Sequence, residues 1–328
     1  MERRDCQYYA RRFARLRTDK SPARWASATS YRAPHKPLLL LAVLDLFEQG
    51  QTRSNRVPLS YELGETFIGY WERVLPFIRH GNLALPFFHL QSDGFWHLIP
   101  KPGFEDALRS ASQIRSLSSL GDHTAGARLD EALYDLLHHA ECRTLLRHVL
   151  IDTYFDRELR DLLIGQGTIN REAFLYSEKL LADPASQLKE ALAKEDEYRP
   201  AVRDQGFRRA VVAAYAHQCA LCELRVRTLD GHTVITAAHI RTWSKTYDDR
   251  PTNGLALCRT CHWAFDEGLL CVSPAYKVRA SRQLAAKDNL PGYLTVLDGR
   301  DMVLPLEGAY LPDVECLTWH REHVFRRD

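Results

Sequence analysis

The chain has 328 residues, 45% hydrophobic and 26% charged, with a net charge of +2. That length exceeds one ordinary core and predicts two domains, while the charge balance excludes a polycation. The longest apolar run, "LLLLAVL" from Leu38 to Leu44, is far too short for a membrane span, and "MERRDCQYYARR" has no apolar signal region, so we expect a cytoplasmic protein with no membrane partner.

The first 36 residues hold ten Lys or Arg against Glu2, Asp5 and Asp19. Such an end suits a phosphate backbone and, equally, a solvated helix face. "KPLLLLAVLDLFEQG" predicts a buried helix opened by Pro37 and stopped by Gly50, and "SYELGETFIGYWERVL" a second helix. "ALPFFHLQSDGFWHLIP" reads as two short strands around a Ser-Asp-Gly turn, and "LDEALYDLLHHAECRTLLRHVLIDTYF" as one or two amphipathic helices. Residues 183–205 are polar, with Pro184 and Pro200 near the ends, and read as a partly helical linker. A helix is expected at "FRRAVVAAYAHQ", strands around "TLDGHT", a short helix at "RTCHWAFDEG" closed by Gly268, then strands and turns. "WHREHVF" reads as an amphipathic tail packing Trp319 and Phe325.

Eight cysteines are present. In a cytosolic chain, paired spacings favour metal over disulfides. Cys219 with Cys222 and Cys258 with Cys261 form two C-x-x-C knuckles, with 35 residues between Cys222 and Cys258. Two knuckles complete a tetrahedron, which predicts a closed, structural Zn²⁺ clamping the base of a small unit. Cys6, Cys142, Cys271 and Cys316 are scattered and read as buried small apolar residues.

Inside the clamp, "AAHI" with His239, "NGLALC" with Asn253, and "CHWAFD" with His262 and Asp266 resemble the HNH nuclease family, in particular the HNH domains of modification-dependent restriction endonucleases. The likeness runs over roughly residues 205–285. Phosphodiester hydrolysis needs a base for water and a cation for the phosphate, and a neutral His suits the first role. The resemblance implies His239 as that base. His262 and Asp266, four apart on one helix face, would hold Mg²⁺ or Mn²⁺, and Asn253 would brace the loop. Asn-Gly also suits a tight turn. Many members carry a further metal-binding Asp or His just before the base; here that position is Ala238, so the cation would have only two protein ligands. Asp248, Asp249 and Glu267 are nearby candidates for outer-shell help.

"SYRAPHKPLLLLAVLDL" and "GNLALPFFHLQSDGFWHLIP" resemble the sulfur-binding domain of phosphorothioate-dependent restriction endonucleases, where it precedes an HNH domain. Sulfur in place of a non-bridging oxygen is larger, softer and less hydrated, so a reader needs an apolar concavity beside cationic donors. Leu85, Pro86 and Phe87 offer the apolar surface; Tyr31, Arg32, His35, Lys36 and His89 offer donors.

The expectation is therefore an α+β protein. A mostly helical sulfur-binding domain with a small β-hairpin spans residues 1–165, a helical linker 166–205, and a zinc-clamped ββα HNH endonuclease domain 206–328. Its partner would be double-stranded phosphorothioate-modified DNA, cut to leave a 5′-phosphate and a 3′-hydroxyl. Cutting both strands makes a homodimer plausible. Two other readings stay open: an HNH enzyme directed to methylated or other modified bases, with "PFFHL" and "GFWHL" lining an aromatic pocket, and a non-catalytic DNA-binding protein with a degenerate HNH unit.

Overall fold

The computed structural model describes residues 4–77, 81–106, 116–185, 198–286 and 288–327. Two compact units divide the chain, residues 1–171 with 228–232, and residues 172–227 with 233–328. Within 166–205, residues 186–197 lie outside the described ones.

In the first unit the order is α1 (Cys6–Phe13), α2 (His35–Glu48), α3 (Tyr61–Val74), α4 (Ala84–His89), β1 (Trp96–Pro100), α5 (Leu117–His123), β2 (Thr124–Leu129), α6 (Glu131–Leu137), α7 (Ala140–Tyr154) and α8 (Arg157–Ala182), the last ending in the second unit. Every residue of α2 from Lys36 to Phe47 is buried, the mark of a central helix packed on all sides. Pro34 is its N-cap and Pro37 sits in its first turn, so the helix opens earlier than Pro37 predicts. Helix α3 is capped by Ser60, whose hydroxyl accepts from the Leu63 N–H at 3.2 Å, and it packs on α2.

Two expectations in this unit are corrected. "ALPFFH" is helix α4 rather than a strand: Asn82 Oδ1 accepts from the Ala84 N–H at 3.0 Å, and Ala84, Phe87 and Phe88 are buried at helical spacing. Strand β1 pairs antiparallel with β2 (Trp96 opposite Leu129), not with its own upstream neighbour. Cys6 and Cys142 are not two separate apolar residues; they form a disulfide between α1 and α7. Buried Asp45 on α2 holds the helices together electrostatically. It meets Arg147 of α7 at 2.7 Å and accepts from Tyr70 of α3 at 2.8 Å and Asn170 of α8 at 2.7 Å. A buried carboxylate is tolerated only when so fully paired.

The second unit runs α9 (Arg199–Ala214), β3 (Ile235–His239), α10 (Trp243–Thr246), β4 (Gly254–Cys258), α11 (Arg259–Asp266), β5 (Leu270–Val272), β6 (Val278–Ala280) and α12 (Val314–His323). β3 pairs antiparallel with β4, placing His239 opposite Gly254 and Ile235 opposite Cys258. Helix α9 packs on both strands through Phe207, Ala210, Val211 and Ala214. The strands expected around "TLDGHT" reduce to one bridge between Arg227 and Thr233. The C-terminal segment is not strands and turns throughout: it ends in α12, which buries Cys316, Leu317 and His320, while Trp319 stacks on His323. Cys271 and Cys316 are buried, as expected.

The disulfide closes a loop of 136 residues. On the chain-entropy model a loop of that size stabilises by about 2–5 kcal/mol. In denaturant with chelator and no reductant, six of the eight cysteines should react with a thiol reagent, and dithiothreitol should lower the thermal midpoint. Eight reactive thiols before reduction would contradict the bond.

Candidate functional site

The site in the second unit is a ββα arrangement built on β3, β4 and α11. Two groups of residues expected to ligate metal lie side by side along one short segment. The Sγ atoms of Cys219, Cys222, Cys258 and Cys261 all lie within 4.8 Å of one another, with Cys222 and Cys258 at 3.6 Å. Four thiolates around Zn²⁺ at roughly 2.3 Å require sulfurs about this close, so the donor set and spacing fit that ion. Cys258 ends β4 and is also the N-cap of α11, its sulfur accepting from the Cys261 N–H at 3.5 Å. The helix therefore leaves the strand at a direction set by one of the four clustered cysteines.

His262 and Asp266 follow on α11, with His262 Nε2 at 3.4 Å from Asp266 Oδ2. Both face one point, as the i, i+4 spacing predicts, and that separation lets both meet one cation at roughly 2.1 Å. The other ring nitrogen, Nδ1, is 2.7 Å from the Thr236 hydroxyl. A partner on Nδ1 fixes the ring and leaves Nε2 for a cation. Thr236 escaped the sequence reading. The period-two alternation of β3 was the available signal, since it puts Thr236 and buried Ala238 on one face.

His239 ends β3. Its ring stacks on Phe207 of α9, centroids 3.8 Å apart and 7° from parallel, and its Nε2 lies 2.8 Å from Asp249 Oδ1. Asn253 is fully buried. Its Nδ2 donates to the carbonyls of Arg241 (3.1 Å) and Asp248 (3.0 Å), and its Oδ1 accepts from the Arg241 N–H at 2.9 Å. It thus ties both ends of the segment that follows His239. Gly254 is in extended conformation, φ −127, so Asn-Gly is not a left-handed turn here. Gly is needed because a Cβ would meet Val211 Cγ2 of α9 at 2.5 Å. Gly268 does close α11 at φ +68.

Asp248 and Asp249 are committed to side-chain partners. Both are buried; Asp248 pairs two-fold with Arg250, and Asp249 is committed to His239, Arg203 and Tyr176. Glu267 pairs with Arg326 at 3.0 Å.

In the first unit the residues expected to meet DNA divide. Tyr31, at left-handed φ 54, is 51% exposed, and Leu85 is 39% exposed. Arg32 lies over the Tyr154 ring at 5.5 Å, and His89 is exposed, its pKa lowered by partial desolvation and by Lys36. Lys36 is not a free donor: its ammonium is buried against Asp93 at 2.6 Å and Ser92 at 3.3 Å. Phe87 is fully buried against Trp96 and belongs to the core; Pro86 is buried beside it. The His35 ring sits between Trp25 (5.5 Å) and Trp71 (4.7 Å), and burial pushes its pKa down to about 4.

Residues 10–168 match the family model of the ScoMcrA-like DNA sulfur-binding domain, and residues 219–273 match that of an HNH endonuclease. Among solved structures the chain is similar to one titled modification dependent TagI restriction endonuclease, at 21% identity and a TM-score of 0.29, covering 40% of this chain and 44% of that one. The chain thus spans less than half the length of that protein. No curated protein matches.

Three outcomes follow from this geometry. Cys258→Ser removes a ligand and the α11 cap together, so bound zinc measured by metal analysis should fall well below one per chain and the thermal midpoint should drop; a variant keeping one tightly held zinc contradicts the clamp. Asn253→Ala leaves three backbone groups without partners and should destabilise the second unit by about 2–4 kcal/mol in urea unfolding. His35 is neutral in the folded state down to about pH 4, while an unfolded histidine takes its proton near 6.5. The unfolded chain then binds more protons between those values, so stability should fall as pH drops from 6.5 to 4. His35→Phe should flatten that part of the thermal midpoint against pH.

Proposed function

We propose that this chain, a DNA sulfur-binding domain followed by an HNH endonuclease domain, is a modification-dependent restriction endonuclease that binds phosphorothioated double-stranded DNA and hydrolyses phosphodiester bonds nearby. The observation that carries the reading is the joining of these two domains on one chain, with the ββα unit holding His239, Asn253, His262 and Asp266 in its matched segment. The four cysteines hold structural Zn²⁺. His262 and Asp266 hold Mg²⁺ or Mn²⁺, which supplies charge stabilisation to the phosphate and the leaving oxygen when bound. His239 takes a proton from the attacking water. Asn253 holds the backbone after β3 in place, and Thr236 orients His262.

For reading, a phosphorothioate needs a soft apolar contact beside a donor for the remaining oxygen. Exposed Leu85 and Tyr31 supply the first; Arg32, His89 and the uncharged imidazole of His35 supply the second. Domain limits of 1–165, 166–205 and 206–328 belong to the same reading, as do a cytoplasmic location and a homodimer, or two chains assembled on DNA, for double-strand cutting. No helix among the described residues is long and apolar enough to cross a membrane.

The test is one plasmid prepared with and without phosphorothioation, incubated with Mg²⁺ or Mn²⁺. Wild type should cut only the sulfur-bearing form, and His239→Ala should bind it equally while cutting at least about 100-fold more slowly. Equal affinity for sulfur-bearing and plain DNA would sink the reading. Preferential binding of methylcytosine DNA would transfer it to a reader of modified bases.

A further inference from the structure

Asp249 is a buried carboxylate with an unusual set of partners. Its Oδ1 meets His239 Nε2 at 2.8 Å and Arg203 Nη1 at 3.1 Å; its Oδ2 accepts from the Tyr176 hydroxyl at 3.0 Å and from the same arginine nitrogen at 3.3 Å. Three different side chains converge on two oxygens that are almost closed to water. A carboxylate so committed has no open position for a cation, which separates it from Asp266. The arrangement has one remaining use. It fixes the His239 ring, and with it which nitrogen carries the proton.

We propose that Asp249 is the positioning residue of the general base His239, and that Arg203 and Tyr176 hold Asp249 in place. This rests on the reading of His239 as the base. The supports come from outside the matched HNH segment: Tyr176 from α8, and Arg203 and Phe207 from α9. Arg203 is itself clamped, lying 3.8 Å over the Trp243 ring and paired with Asp204. Phe207 stacks flat on the imidazole and blocks rotation out of plane. The charged groups around His239 are Asp249 and Arg203, together with Asp266, whose carboxyl is raised by desolvation and pulled back by the charges of His262 and His239.

The carboxylate accepts from Nε2–H and leaves Nδ1 as the free lone pair. Nδ1 takes one proton from water as the water oxygen bonds to phosphorus. The bond from phosphorus to the 3′ oxygen breaks, and that oxygen takes a proton from solvent. Asp249 never becomes protonated; its charge opposes the imidazolium formed in the middle of the step. The same division of labour operates in Ser-His-Asp hydrolases, where loss of the carboxylate costs rate through the wrong tautomer.

The experiment compares wild type, Asp249→Asn, Asp249→Glu, Tyr176→Phe and His239→Ala on phosphorothioated plasmid, with ¹⁵N spectra of the histidine ring in parallel. Wild-type His239 should carry its proton on Nε2, and Asp249→Asn should lose that preference. In Asp249→Asn, kcat should fall about 10²–10⁴-fold with KM and the Mg²⁺ concentration for half-maximal rate unchanged. Asp249→Glu should recover part of the rate. Tyr176→Phe, which keeps the ion pair, should show a smaller loss in the same direction and covers the case in which Asp249→Asn does not fold.

An unchanged ring tautomer in Asp249→Asn, or a loss of rate that excess Mg²⁺ restores, overturns the proposal. Full activity in Asp249→Asn beside a dead His239→Ala overturns it while leaving His239 as the base. Full activity in His239→Ala removes the base reading itself.

Discussion

Cys258 does three things at once, and the site depends on them coinciding. It is the last residue of β4, opposite Ile235; it is the N-cap of α11; and it is one of four thiols brought together for a metal. The direction in which α11 leaves the hairpin is therefore fixed where the strand ends. Everything His262 and Asp266 do follows from that direction, because they lie one and two turns along the helix. A unit with two short two-stranded sheets has little sheet surface with which to fix such an angle by packing alone. A metal held by the four cysteines would supply the constraint directly.

The second element is the placing of the His239 ring. The ββα unit presents His239 at the end of a strand, but strand geometry leaves a terminal ring free to turn. The restraint comes from α8, which ends before the polar stretch 183–205 that reads as a linker, and from α9, which begins within it. Phe207 covers one face of the ring and Asp249 takes one nitrogen, with Arg203 and Tyr176 behind it. Gly254 makes this possible, since any side chain there would push Val211 and Phe207 away from the hairpin. Helix α11 and the His239 ring are thus organised by different parts of the chain, one by the cysteine knuckles and one by the helices before them.

In the first unit, charge is used internally as much as at the surface. Lys36 lies in a segment that reads as basic and DNA-facing, yet its ammonium is spent on Asp93, tying the start of α2 to the turn before β1. Asp45 and Arg147 do the same between α2 and α7, with Tyr70 and Asn170 completing the shell. Once these are committed, the groups left outside the core are fewer than the sequence offers: Tyr31, Arg32, Leu85 and His89, with His35 between two tryptophans.

By itself the sequence determined what local spacing can determine. The knuckles at Cys219, Cys222, Cys258 and Cys261, the pairing of His262 with Asp266 four residues on, and the helices of α2, α3 and α11 all follow from short-range geometry. Only tertiary structure decided which side chains meet across long intervals. Nothing local marks Asp249 as the partner of His239, or Thr236 as that of His262, because those contacts require a loop to fold back and a strand to face a helix. Cys6 and Cys142 stand 136 residues apart, so their bond has no sequence period to announce it. "ALPFFH" reads as strand from its bulky residues, and becomes helix because Asn82 Oδ1 accepts from the first N–H of the helix and its apolar residues fit one helical face. Lys36 and Phe87 have the composition of a binding surface, and burial, which is a property of the whole fold, removed them from it.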